Sequence, residues 1–194
     1  MPYPPRPQFP GGLYHVTFRG VNRRRIVVDD VDRELWLGRL AAAVPRTGVV
    51  LHSWCLMTNH GHLVVETPHA NVAEFVQIVN SPYARSFNRR HGKVGHVFGE
   101  RYASRVIEKE SHLLEVARYV VLNPVRAGIC ERAEDWRWSS YRATAGLARP
   151  PAFLTTAWLL AHFARDRGVA AARYAEFVAE GAPAKTLAGL LAAA

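Results

Sequence analysis

Apolar and less apolar residues alternate through Tyr14, Val16 and Phe18, the period of a half-buried strand, and predict a first strand over 13–19. The period then lengthens. Leu35, Trp36, Leu40 and Ala43 recur at helical spacing behind acidic residues, which predicts a helix from Asp29 to about Val44. Apolar runs over 49–57 and 60–66 read as two strands joined by a tight turn or bulge at Thr58 and Asn59. Phe75, Val76, Val79, Tyr83 and Phe87 predict a helix over 72–90, kinked at Pro82. A glycine-containing loop over 91–99 leads to a fourth strand over 102–108. Leu113, Val116, Ala117, Val120 and Val121 then form the apolar side of another helix. Ser111 is its expected cap, and Pro124 is expected to push Asn123 out of the helical region and end it there. The order β-α-β-β-α-β-α implies an α+β protein: a ferredoxin-like antiparallel sheet with helices packed on one face. Beyond it, Trp158, Leu159, Phe163, Tyr174, Phe177 and Val178 predict two short helices before an alanine-rich end that frays.

Composition narrows this picture. With 194 residues the chain supports one main core and an appended segment. We read residues 1–12, rich in proline, as an extended lead-in, 13–131 as the main domain, and 132–194 as a C-terminal helical extension. No window is long and apolar enough to span a bilayer, and no apolar leader opens the chain, so a soluble, cytoplasmic protein is expected. Cys55 and Cys130 are too few for a disulfide framework or a zinc knuckle and read as buried free thiols. The formal net charge of +9 is unevenly placed. Arg19, Arg23, Arg24 and Arg25 crowd one stretch, and Arg85, Arg89, Arg90, Lys93, Arg101 and Arg105 crowd another. Such clusters favour a polyanion, nucleic acid ahead of an anionic membrane.

Two pairs of residues carry the chemistry. His60 and His62 stand two apart where an apolar strand begins, so their imidazoles share a face and can grip one ion. Tyr119 and Asn123 are spaced i, i+4 on a helix, within roughly 40° of each other and off its apolar stripe, with His112 and Glu115 on the same face. Two neutral imidazoles and one amide oxygen make three protein ligands and leave coordination positions open, as in a catalytic site. Ligand softness alone admits zinc, manganese, magnesium or another ion. A tyrosine nucleophile must give its phenolic proton to water or a neighbouring base, and a phosphodiester activated by the metal is a fitting target.

Together these residues resemble the single-tyrosine HUH transposases, and among them the REP-associated tyrosine transposases. The resemblance rests on five ordered blocks: Tyr14 to Gly20, Cys55 to Leu63, Gly95 to Phe98, Tyr119 to Gly128, and Trp138 to Tyr141. It implies a catalytic domain over 13–131 in which His60, His62 and Asn123 bind Mg2+ or Mn2+ and Tyr119 is the nucleophile. It implies an endonuclease and strand transferase that attacks single-stranded DNA to give a 5′-phosphotyrosine and a free 3′-hydroxyl. Hairpins such as repetitive extragenic palindromes are the implied substrate. Two departures stand out: Gly61 occupies a position usually bulky and apolar, which is expected to loosen the histidines, and Phe98 stands where Trp is common. Tyr83, Phe87, Phe98 and Tyr102 interleave with the second arginine cluster, a mixture suited to stacking bases while neutralising phosphates, unless the aromatics belong to the core. A catalytically inactive hairpin-binding protein of the same fold is the alternative; an RNA-binding ferredoxin-like domain accounts poorly for the five blocks. The C-terminal tail suits a monomer better than a homodimer.

Overall fold

The structure is a computed structural model, described here for residues 7–99, 101–108 and 110–183, without the side chains of residues 110 and 111. The proline-rich start over 1–6 and the alanine-rich end over 184–194 lie outside the described residues. Ser111, expected to cap the helix that carries Tyr119, lies inside it instead, because that helix already includes Glu110. Strands β1 (Gly12–Arg19), β2 (Val50–Leu56), β3 (His60–Thr67) and β4 (Ala103–Val106) form one sheet in the order β2-β3-β1-β4, with every pairing antiparallel. Helices α1 (Asp30–Thr47) and α2 (Val72–Arg90) are the crossovers. This is the ferredoxin-like α+β arrangement expected from the order of elements.

Strand alternation assigns each face. Tyr14, Val16 and Phe18 of β1 point with Leu63 and Val65 of β3 into the core beneath α1 and α2, where they meet Trp36, Leu40, Phe75 and Phe87. Each of these large side chains contributes about 1.5–3 kcal/mol by burial. A register shift between Leu51 and Ser53 lets Leu51, Trp54 and Leu56 of β2 join the same core despite their odd spacing. The start of α1 is tied to the end of α2: Asp29 caps the helix by accepting from Asp32 N, and Arg90 bridges Asp29 and Asp32 at 2.6 Å each.

The residues of opposite parity face the other way. His15, Thr17 and Arg19 of β1 and His60 and His62 of β3 lie on the second face, which α3 (Glu110–Arg126) partly covers through Leu113 and Val120 packed on Cys55 and Val64. Pro124 does not end this helix. It lies inside α3, and the Val120 carbonyl that its missing N–H would have served accepts instead from Asn123 Nδ2 at 3.3 Å. The side chain of Asn123 thus repairs the break and keeps Asn123 helical.

The remaining chain packs against α3 and the edge of the sheet. Helices α4 (Tyr141–Thr144), α5 (Ala157–Ala161) and α6 (Arg167–Glu180) close a second apolar cluster around Ala117, Val121 and Leu122. Residues 138–140 run beside β2, with Leu56 N donating to Trp138 O and Ser140 N to Trp54 O, both at 2.9 Å. Both cysteines are free thiols, Cys55 buried and Cys130 half-buried. No described helix is long and apolar enough to cross a membrane.

Candidate active site

The antiparallel register builds the site. Thr17 pairs with His62 and Arg19 with His60 on one side of β1, while His15 pairs with Arg105 of β4 on the other. One patch of sheet therefore presents three histidines among arginines, and α3 lays Tyr119 over it. The His60 and His62 rings stand at 85° with centroids 5.0 Å apart, and the Tyr119 ring is edge-on to His62 at 5.7 Å. These residues line a cleft of about 900 Å³ that also holds Arg19, Arg23, Arg101, Arg105, His96 and His112. Tyr119 is 39% exposed at its wall, with the Arg126 guanidinium 5.2 Å from the ring centre.

Each candidate ligand is held by its other end. His60 Nδ1 lies 2.6 Å from Asn59 Oδ1, and His62 Nδ1 lies 3.0 Å from His15 Nε2. His62 Nε2 is buried and has no hydrogen-bond partner among the described residues. Asn123 Nδ2 donates to the carbonyls of Tyr119, at 2.9 Å, and Val120, so Oδ1 is the end of the amide that faces the histidines and could meet a cation between them. Its side chain reaches both imidazoles, where it mildly favours their protonated forms. That influence loses to burial, which together with neighbouring His15, His60 and Arg19 lowers His62 to about 3; burial and Arg19 also lower His60. Burial, Arg105 and His112 bring His15 down to about 4. All three rings are therefore neutral near pH 7, the form in which imidazole ligates a metal. Two neutral imidazoles anchored through Nδ1, an orphaned Nε2 and an oriented amide fit a divalent ion.

Of the ten basic residues singled out from sequence, Arg19, Arg23, Arg101 and Arg105 line the cleft. Arg24 and Arg25 are exposed on the loop just beyond Arg23. Arg85, Arg89, Arg90 and Lys93 do not line it: they sit on α2 and the loop after it. Arg90 is held by Asp29 and Asp32, and Lys93 Nζ lies 4.9 Å from the centre of the Phe87 ring. Tyr83 and Phe87 are buried core residues, and Phe98 and Tyr102 pack against that core, so Tyr83 and Phe87 are closed to base stacking and their helical spacing reflects packing alone. Sequence reasoning missed the contacts of His15, Asn59 and Arg126. The signal for His15 was a polar residue in alternation with Tyr14 and Val16, which places it on the second face; only the register reveals its neighbour.

The sequence model of the IS200-like transposases matches residues 9–123, a span that takes in the whole sheet, both histidines, Tyr119 and Asn123. The chain belongs to this family. Among solved structures, this IS200-like transposase is similar to a REP-associated tyrosine transposase bound to a REP hairpin, with a TM-score of 0.65 and 16% identity over 80% of this chain and 92% of that one. It is similar also to a candidate transposase from Deinococcus radiodurans R1, a partial likeness with a TM-score of 0.42 and 19% identity over 56% of this chain and 87% of that one. No curated protein matches it significantly. The first of these likenesses covers more of the chain than the family model does.

Proposed function

We propose that this transposase nicks and rejoins single-stranded DNA through a covalent 5′-phosphotyrosine at Tyr119, on hairpin-flanked substrates such as repetitive extragenic palindromes. The reading is carried by one juxtaposition: Tyr119 lies over His62 in a cleft that His60 and several arginines also line, and Asn123, one turn further along α3, reaches both imidazoles. His60, His62 and Asn123 would hold Mg2+ or Mn2+, which when bound supplies Lewis acidity at the scissile phosphate. Arg19, Arg23, Arg101 and Arg105 neutralise flanking phosphates and seat the strand in the cleft. The Tyr119 hydroxyl attacks phosphorus and gives its proton to water, and the bond to the 3′ oxygen breaks as that oxygen takes a proton from water and leaves as a 3′-hydroxyl. The phosphotyrosine ester conserves the bond, so the strand can be rejoined without ATP by a returning hydroxyl. Binding the substrate in one orientation makes attack and departure nearly unimolecular.

The test is to incubate the protein with hairpins from its own genomic flanks, with Mn2+, with Mg2+ and with chelator. A covalent adduct is expected that needs metal and disappears in Tyr119→Phe. Binding without adduct on every hairpin and ion would assign the protein to non-catalytic hairpin recognition instead.

A further inference from the structure

Asn59 sits in the β2–β3 turn, and its carboxamide touches two things at once. Oδ1 faces His60 Nδ1 at 2.6 Å, and Nδ2 donates to the Arg23 carbonyl at 3.2 Å. A carbonyl can only accept, so the amide nitrogen must point to Arg23 and the amide oxygen to the imidazole. The oxygen can in turn only accept, so His60 carries its proton on Nδ1 and leaves Nε2 bare. Through one amide, the position of the Arg23 backbone decides which nitrogen of His60 is open. That backbone is unusual: Asn22 and Arg23 have φ of 49° and 57°, a left-handed conformation that side-chain-bearing residues adopt only where neighbours hold it.

The backbone makes the same connection. Gly20 N donates to Asn59 O at 2.9 Å, while Ile26 N and Val27 N both donate to Thr58 O at 2.9 and 3.1 Å. A Cβ on Gly20 would stand 2.1 Å from the Arg24 carbonyl, so the loop doubles back tightly over the turn. A residue needed only to form the turn would be satisfied by these backbone bonds. Asn59 adds a side chain with both ends committed.

We infer that Asn59 is a positioning residue that sets the tautomer of His60 and, with the same amide, fixes the arginine-bearing loop at the mouth of the cleft. For its effect on metal the inference rests on His60 being a ligand; for the tautomer it does not. The protein labelled with 15N-histidine, metal-free, gives the His60 tautomer by NMR, with His60→Ala to assign the signal. Amide exchange at Arg23 and Arg24 reports the loop. In Asn59→Ala, His60 should revert to the Nε2–H form that free imidazole prefers, Mn2+ affinity should fall about 10–100-fold, and exchange at Arg23 and Arg24 should quicken about tenfold, roughly one lost hydrogen bond. Asn59→Asp keeps the acceptor and loses the donor: the Nδ1–H tautomer should persist while the loop amides exchange as fast as in Asn59→Ala. An unchanged tautomer in Asn59→Ala, or its loss in Asn59→Asp, would overturn the inference. Should Asn59→Ala fold poorly, the Asp variant still decides. If wild type and His60→Ala bind Mn2+ equally, the metal reading fails while the tautomer still tests Asn59.

Discussion

At Gly61, between the two histidines, the sequence suggests a weak strand, and the structure shows what fills the gap. Gly61 pairs across the sheet with Phe18, whose ring lies where a side chain would be, 2.2 Å from the position of a Cβ. The phenyl ring restores the packing that a larger residue would give, much as an aromatic rescues a glycine on a neighbouring strand. Gly61→Val should therefore destabilise the protein by about 1–3 kcal/mol through overpacking. Adding Phe18→Ala should recover part of that loss although each change alone is harmful. Urea unfolding of the two single variants and the double variant checks this, and simple additivity would show that ring and glycine are not coupled.

Among the elements, α3 shows how a local rule can be outvoted. An Asn-Pro pair reads as a helix end because proline crowds the residue before it out of the helical region, yet Asn123 stays helical, its side chain serves the carbonyl that proline leaves stranded, and the helix runs to Arg126. Removing that amide with Asn123→Ala should cost about 1–2 kcal/mol of stability in chelator, the cost of a carbonyl left unpaired. With Pro124→Ala already present, the new backbone N–H can serve Val120, so the same Asn123→Ala step should cost less. A double-mutant cycle measured by denaturation separates this structural role from any contribution to metal binding. The strands and α1 and α2 were legible because their periods are clean: the helix expected over 72–90 has those bounds in the structure. What sequence could not give was register. The meeting of His15 with His62, the approach of Arg105 to His15 and the placing of α3 across the second face follow from pairings between distant segments, which no local pattern encodes. The same limit left the aromatics undecided between base stacking and core, since Tyr83 and Phe87 look alike in sequence in either role; the structure buries them.

For the molecule as a whole, burial of neutral histidines makes stability depend on pH. His15, His52, His60 and His62 all titrate below their usual value, burial being the first cause for each. Between those lowered values and about 6.5 the unfolded chain binds more protons than the folded one, so stability rises with pH across that window. Asp29 and Asp32 are also held low, Asp29 chiefly by its hydrogen bond to Arg90, and Asp32 by His91, the Val28 N–H and Arg90 against the opposing effect of burial. Their contribution is present above the ordinary carboxylate range and is lost only as pH falls through it. In chelator, the urea midpoint should already decline between pH 7 and 5, before those carboxylates protonate; a midpoint constant over that range would contradict the buried neutral rings. The edge of β2 is covered by residues 138–140, which removes one strand edge from pairing with a second copy, and sedimentation should find a monomer.

The helix that carries Tyr119 is gripped from two sides, by the sheet through Leu113 and Val120 and by the C-terminal helices through Ala117, Val121 and Leu122. A segment held in two separate cores has no partial route out, so its amides should exchange with solvent only when the whole protein unfolds, while those of the loop at 21–25 exchange far sooner. On the mechanism proposed above, the Tyr119 hydroxyl then keeps its place between the two cores, and it is the strand that must come to it.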